Sequence, residues 1–308
     1  MTPPLQPAVS LCIPTFRRPD GLRKLLSHLA LLDYKGPLSI IVIDNDGEGR
    51  AGEAVVQEIA PGFRFPIVCL VEPRRGHTYA YNTGFAAACR TPSTDYVAVL
   101  DDDEYPSPGW LTEMIAAAVQ YRVDIVGGPV FPVFDDPTHW LARGQLYAPQ
   151  RYPTGPVAMI YGAGNMLIRR ATLDHYLDEP FSHAFAFTGG SDLDFFKRCA
   201  RDGRSFAWAD HAEVFETTPR SRMTVSWVLL RAFRIGSDNT RTDRAVADRP
   251  RDAVVRWVKG AGLFTYGVAL APFALLRGRC AMIASLKVAA RGVGRLAAEF
   301  NVLYEEYR

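Results

Sequence analysis

The sequence predicts an α/β domain built on a doubly wound sheet, followed by a mostly helical extension. Three observations predict it. Short apolar, β-rich runs alternate with helical patterns through the first half of the 308 residues. Three of these runs end in polar clusters, Thr15-Phe16-Arg17, Asp44-Asn45-Asp46 and Asp101-Asp102-Asp103-Glu104. From Val225 onward the pattern is helical.

Each element follows from local chemistry. Val9–Ile13 is a short apolar strand, ended by Pro14. Asp20 is placed to cap a helix whose Leu22, Leu25, Leu26 and Leu29 recur at helical spacing. Leu38–Ile43 is nearly all apolar, as a strand buried on both faces of a parallel sheet must be. A helix near Gly52–Ile59, a strand at Ile67–Val71, a helix at Tyr79–Ala88 and a strand at Tyr96–Leu100 complete the alternation. Right-handed crossovers then bring the polar clusters to the carboxyl ends of the strands, where such sheets bind ligands. Residues 128–165 are rich in Gly, Pro and aromatics and read as irregular strands and loops walling an acceptor side; 171–210 return to αβ patterning.

Composition bounds the class. A 48% apolar, 22% charged chain supports a large core and excludes a disordered, collagenous or disulfide-stapled protein. The five Cys lack a CxxC pair and read as reduced, buried small hydrophobes, not as a zinc site. The opening MTPPLQPAVS has no basic stretch followed by an apolar one, so the expectation is a cytoplasmic chain without a leader. Charge is uneven: residues 1–219 carry 19 basic and 26 acidic side chains, and 220–308 carry 16 and 7. Thirty of the 35 basic residues are Arg, suited to bidentate contact with phosphate. The basic tail lacks the interleaved aromatics of a stacking platform, so no nucleic-acid partner is expected.

The strongest local signal is four acids in a row after an apolar strand. They repel one another and cost desolvation unless a cation neutralises them. Mg²⁺ or Mn²⁺ suits such a site, taking one or two carboxylates plus substrate phosphates. A solvated acidic turn before the next helix is the alternative.

The segments VSLCIPTFRRPDGLRKLL, SIIVIDND, VEPRRGHTYAYNTGFAAA, DYVAVLDDDEYPSPGWL, GAGNMLIRR and GGSDLDFFKR occur in that order. Together they resemble the family 2 inverting glycosyltransferases of the GT-A fold, a Rossmann-like doubly wound mixed sheet, from Val9 to about Gly236. TFRRP, DDDE, GGSDLDFF and WVLLRAFRIGSDNTR most resemble the bacterial exopolysaccharide glucosyltransferases of the succinoglycan ExoM type. The resemblance implies a glycosyltransferase domain over 1–236, with a nucleotide-sugar half to about 127 and an acceptor half over 128–236. A helical, basic and apolar extension then covers 237–308.

The resemblance also implies roles. Pro14, Thr15, Arg17, Asp44, Asn82, Asp101 and Asp102 match donor and nucleotide positions. Asp44 suits an acceptor for a uracil imide N–H, or else a turn-forming residue. Asp103 matches the metal ligand, and the cation would be a Lewis acid toward the departing diphosphate. Asp192 matches the catalytic base, in a position where relatives carry an ED pair and this chain carries Ser191-Asp192; the competing reading is a helix cap. Asn165, Arg220, Arg222 and Trp227 match acceptor or diphosphate positions. Relatives also often carry Arg where Tyr81 stands and His where Phe215 stands. The implied donor is a UDP-sugar, UDP-glucose by resemblance, and the implied acceptor a polyprenyl-diphosphate-linked saccharide. The alternative is a non-catalytic glycan- or nucleotide-binding scaffold with a degenerate site. A sugar-nucleotide pyrophosphorylase is disfavoured because IPTFRRP has no glycine-rich phosphate loop.

Residues 260–276 are 17 consecutive uncharged positions between Lys259 and Arg277. The run is short for a spanning helix, which needs about 20 apolar residues. An interfacial helix with basic flanks fits better, peripheral or monotopic on the anionic inner face of the cell membrane; a buried core helix is the alternative.

Overall fold

The computed structural model describes residues 6–246 and 249–304. The opening MTPPL, read above as part of a leaderless start, lies outside the described residues, as do 247–248 within the extension and 305–308 at its end. The chain divides into two units. One takes the chain up to Phe131 with Pro149–Ala186 and Arg198–Glu216; the other takes Pro132–Ala148, Phe187–Lys197 and the chain from Thr217.

The alternation runs β1 (Val9–Thr15), α1 (Pro19–Leu29), β2 (Leu38–Asp44), α2 (Ala51–Ile59), β3 (Ile67–Val71), α3 (His77–Cys89) and β4 (Tyr96–Val99). Then come β5 (Glu104–Pro106), α4 (Trp110–Tyr121), β6 (Ile125–Gly127), β7 (Val130–Phe134), α5 (Trp140–Arg143), β8 (Gly155–Val157) and β9 (Met166–Arg169). The remainder holds α6 (Arg170–Leu173), α7 (Ser191–Arg201), β10 (Phe206–Trp208), β11 (Val214–Thr218) and the long helices α8 (Val225–Val246), α9 (Pro250–Leu275) and α10 (Arg279–Glu299).

The first unit carries an eight-stranded sheet in the order β3-β2-β1-β4-β9-β6-β10-β8. β3, β2, β1 and β4 are parallel, whereas β9 runs antiparallel to both β4 and β6. The sheet is therefore mixed, as expected. Winding proceeds from β1 outward to β3 and then returns to β4 on the other side of β1. That reversal puts the topological switch point between the ends of β1 and β4. A second sheet orders its strands β5-β11-β7. On α1, Leu22, Leu25, Leu26 and Leu29 are fully buried in the core with Leu11, Ile13, Val42 and Trp110, so the helical spacing identified the right face.

Two local expectations are corrected. Pro14 does not end the first strand: it pairs with Ile43, and β1 continues to Thr15. Cys12 O accepts from Leu100 N on the β4 side, and Pro14, two residues on, faces that side beyond the last β4 pair at Cys12–Val99. Its missing N–H therefore breaks no ladder bond. Asp20 is not the helix cap either. Arg18 holds that position, Pro19 opens the helix, and Asp20 sits in the first turn, where its charge faces the positive end of the helix dipole.

In the second unit, α8 and α9 both pack along α10 at backbone distance. A Cβ on Gly292 would lie 2.4 Å from Phe264 N and 2.6 Å from Gly260 O, and one on Gly267 would lie 2.4 Å from Ala289 N. Small residues thus let α9 and α10 meet with almost no side-chain layer between them. Arg256 and Glu299 close the same interface with a buried ion pair of 2.6 Å. Only Arg256, Gly260, Gly267 and Ala271 of α9 are buried. Val254, Val258, Phe264, Val268, Phe273 and Leu275 are exposed, which removes the core-helix reading of 260–276. Over 26 residues α9 is long and apolar enough to cross a membrane by length and composition.

Gly292→Val should destabilise the second unit by roughly 1–3 kcal/mol, the usual cost of overpacking. Urea denaturation with limited proteolysis between α9 and α10 reads this, and a variant as stable and as resistant as the parent contradicts the packing.

Candidate active site

The end of β4 and the end of β1 meet through Asp102. Thr15 Oγ1 donates to Asp102 Oδ2 at 2.8 Å, and Phe16 N donates to the same oxygen at 3.3 Å. Arg18 Nη1 spans the next two acids, lying 3.1 Å from Asp102 Oδ1 and 2.7 Å from Asp103 Oδ2. Asp102 is buried, and the desolvation that would favour its neutral form is opposed by Arg18 and by Thr15. Its role in the structure is thus to join the two strand ends.

Asp101 turns the other way. Tyr81 Oη donates to Asp101 Oδ1 in a short hydrogen bond, and Asp101 N donates to Glu104 Oε2 at 2.9 Å. Glu104 opens β5, whose partner β11 places Glu216 directly opposite it. Burial and then the charge of Asp103 push the Asp101 carboxyl up; burial and then the charge of Asp101 push Glu104 well up, with Glu216 adding to both. Four carboxyl groups thus crowd one end of the sheet, and the repulsion among them is a physical invitation to a cation.

The neighbouring loops are held by side-chain hydrogen bonds. Asp44 is fully buried; its Oδ1 accepts from Asp46 N and its Oδ2 from Glu53 N, both at 3.0 Å, tying the end of β2 to the first turn of α2. A Cβ on Gly52 would lie 2.6 Å from Thr15 Cγ2 and 2.9 Å from Asp44 Oδ2. Arg17, with φ at 56°, pairs with Asp46 at 2.9 Å and keeps most of its side chain exposed. Asn45 clips the next loop, donating to Glu72 O and Arg74 O and accepting from Gly76 N. Glu72 collects Arg74 and Thr83, and the Arg74 hydrogen bond first of all draws its carboxyl down to about 2.

Two expected ligand residues are engaged inside the unit. Asn82 Nδ2 donates to Phe181 O at 2.8 Å while its Oδ1 accepts from Phe181 N at 2.9 Å, a closed amide clip. Asn165 is 3% exposed. Its Oδ1 accepts from Trp110 Nε1 at 2.7 Å, and its Nδ2 donates to Pro129 O and Ala212 O at 3.0 and 2.8 Å.

In the second unit, Asp192 and Asp194 stand in the first turn of α7, which begins at Ser191. Asp192 is therefore inside the helix and not at its cap. Trp227 stacks on Tyr147 at 5.8 Å, with Arg222 and Arg231 over its ring at 6.0 and 5.1 Å. Tyr147 Oη donates to Arg222 O at 2.8 Å, and Arg220 pairs with Asp136 at 3.6 Å. Arg222 and Trp227 form one group; Arg220 points to another.

Sequence reading alone gave no part in the carboxylate cluster to Arg18, Tyr81 or Glu216. Glu216 joins it only through β5–β11 pairing, which no local pattern announces. Arg18 had a signal: it directly follows Arg17 in the same strand-end cluster.

The fold, with its switch point and the acids at the end of β4, defines a GT-A glycosyltransferase. Residues 10–177 match the family described as Glycosyl transferase family 2, and the chain belongs to it. It is 30% identical over 287 residues, 90% of both chains, to the succinoglycan biosynthesis protein ExoM of Rhizobium meliloti (strain 1021). Among solved structures it resembles the mannosyltransferase PcManGT from Pyrobaculum calidifontis in complex with GDP-Man and Mn²⁺, with a TM-score of 0.59 and 18% identity over 97% of this chain and 88% of that one. S. aureus TarS 1–349 in complex with UDP gives a TM-score of 0.53 and 14% identity over 98% and 93%. The chain is a glycosyltransferase.

Asn165→Ala would strand Trp110 Nε1 and Ala212 O, while Pro129 O keeps its bond from Val214 N. Each unsatisfied group costs about 1–3 kcal/mol, so urea denaturation should show a loss of several kcal/mol; a loss below about 1 kcal/mol contradicts the internal role.

Proposed function

We propose that this glycosyltransferase is metal-dependent and inverting, and transfers a sugar, glucose from UDP-glucose, to a polyprenyl-diphosphate-linked oligosaccharide in bacterial exopolysaccharide synthesis. The observation that carries the reading is the crowd of carboxylates at the sheet's switch point. Likeness to the succinoglycan biosynthesis protein ExoM supports the pathway.

Among the described residues no group of three or more His, Cys, Asp or Glu side chains makes a closed ligand cage. A hard divalent cation in a nucleotide site takes one or two carboxylates and completes its shell with phosphate oxygens. Asp103, with Asp101 beside it, offers that oxygen set, so the residues fit Mn²⁺ or Mg²⁺. Bound there, the cation would supply Lewis-acid stabilisation of charge on the leaving diphosphate.

The chain's own residues do the rest. Pro14, Thr15 and Arg17 form the strand-end wall against the nucleotide. Asp44 keeps lone pairs for a uracil imide after its two backbone bonds. Asp102 holds β1 and β4 in register. Asn82 and Asn165 act through the loops they lock. Asp192 accepts the proton of the acceptor hydroxyl as its oxygen attacks the anomeric carbon and the bond to the diphosphate oxygen breaks. Arg222 and Trp227, with Arg220 nearby in sequence, serve the acceptor's saccharide and diphosphate.

Asp192→Asn should leave UDP binding unchanged and lower transfer by roughly 10²–10⁴-fold, the usual worth of a positioned base. Asp103→Asn should instead remove the Mn²⁺ dependence of UDP affinity in calorimetry. Transfer near the parent rate in the first variant, or unchanged Mn²⁺-dependent affinity in the second, would overturn the corresponding role.

The extension fits the inner, anionic face of the cell membrane, peripheral or monotopic. α9 presents Val258, Phe264, Phe273 and Leu275 to its surroundings, and Arg277 and Arg279 follow its apolar run. Each basic residue near an anionic leaflet contributes about 1 kcal/mol. Full-length protein should therefore sediment with phosphatidylglycerol vesicles at low salt, be partly released by high salt, and lose binding in Phe264→Asp/Phe273→Asp. Protein that ignores these vesicles at low salt contradicts the membrane reading.

A further inference from the structure

The segment carrying Asp192 is fastened to α8 at three points, all within the second unit. Before it, Arg241 Nη1 donates to Thr188 Oγ1. After it, Lys197 Nζ bonds Thr242 Oγ1 at 2.7 Å and Asp243 Oδ1 at 2.5 Å, and Asp243 also takes Arg295 of α10 at 3.3 Å. Between these clamps lies a glycine turn, Gly189 and Gly190, with φ of 84° and 90°. A Cβ on Gly190 would sit 3.0 Å from both Cβ and Cγ of Asp238, and one on Gly189 would sit 3.7 Å from Asp238 Oδ2. Side chains are strained at these φ values in any case, and the Asp238 carboxyl occupies the space they would need. Gly190 O in turn accepts from Asp194 N at 3.0 Å, so Asp238 packs on the residue whose carbonyl starts α7.

Asp238 is 8% exposed. Burial is the main force pushing its carboxyl up to about 7; Arg234 opposes it, the charge of Asp192 adds to it, and Arg241 opposes it. The other charged groups on the packed elements face other neighbours. Lys197 and Arg295 meet at Asp243. Lys287 donates to Leu146 O, and Arg291 faces Arg231. Asp194 is the remaining acid of α7's first turn. Asp192 and Asp238 therefore form a pair of acids in which one group's charge is felt by the other.

We propose that Asp238 is the positioning residue of Asp192: its side chain seats the glycine turn, and its charge state sets how strongly Asp192 holds a proton. This rests on the reading of Asp192 as the base. When the acceptor O–H proton moves to Asp192, the repulsion between the two acids ends and Asp238 binds its own proton less tightly. When Asp238 is ionised, Asp192 is the stronger base. Such coupling is reciprocal, so the pair titrates jointly. Transfer should rise as pH passes upward through about 7, because that is where Asp238 ionises.

The test is a ¹³C-carboxyl NMR titration of the full chain labelled at aspartate, with the Asp192 signal assigned by its loss in Asp192→Asn. In the parent, the Asp192 signal should show a second inflection near pH 7 that Asp238→Asn abolishes. Reciprocally, in Asp192→Asn the Asp238 signal should titrate at lower pH than in the parent, a measurement that stands even if Asp238→Asn does not fold. Identical Asp192 curves in parent and Asp238→Asn, or an unmoved Asp238 curve in Asp192→Asn, overturn the proposal. A coupling that appears while Asp192→Asn still transfers sugar at the parent rate would leave the pair intact and sink only the base.

Discussion

Four carboxyl groups share the low-dielectric end of β4: Asp101, Asp103, Glu104 and Glu216. Their mutual repulsion is the constraint on which the account of the first unit depends. Folding brings them together in spite of it because each is fixed by a stronger local need. Glu104 and Glu216 are cross-strand partners, Asp101 is bound by Tyr81, and Asp103 is held by Arg18. Like charges opposite one another in a sheet are destabilising, and buried carboxylates that cannot ionise freely lower stability as pH rises from 4 toward neutrality. A fold that tolerates this cost has a use for the charge. On the function proposed above, that use is to hold a cation beneath a diphosphate leaving group.

Around that cluster the unit is tied together by side-chain hydrogen bonds. Asp102 stitches two strand ends, Asp44 ties β2 to α2, and Asn45 and Asn82 clip loops to one another. Rigid walls are what a site built on electrostatic preorganisation needs. The second unit follows a different logic. Its long helices approach through glycine, leaving the apolar face of α9 outward, and its polar clamps converge on the short segment that carries Asp192.

Much of this was legible in the sequence because period and composition encode it. The leucines of α1 gave its buried face, the apolar run 38–43 a doubly buried strand, and the four acids a site at a strand end. Cap and strand-end details were not legible. Pro14 is tolerated because β4 pairing has already stopped, and Asp20 is displaced from the cap because Pro19 opens the helix. Residues that matter through tertiary contact alone left no local mark. Glu216 enters the cluster by strand pairing, and Asp238 reaches the glycine turn from a helix about fifty positions away. Asn165 stood out as a motif residue, yet only the structure reveals that its amide is spent on Trp110 and two carbonyls.

The proposed cation site at the end of β4 is one shared with a nucleotide diphosphate. The most direct measurement is the thermal unfolding midpoint of the full chain against Mn²⁺ concentration, with and without UDP. Ligand bound only by the folded state stabilises it by RT ln(1 + [L]/Kd). A cation site there gives a small rise with Mn²⁺ alone, as repulsion is relieved, and a larger one when UDP supplies phosphate oxygens. A midpoint that stays fixed up to millimolar Mn²⁺, and that UDP raises equally in the presence of a chelator, would contradict it.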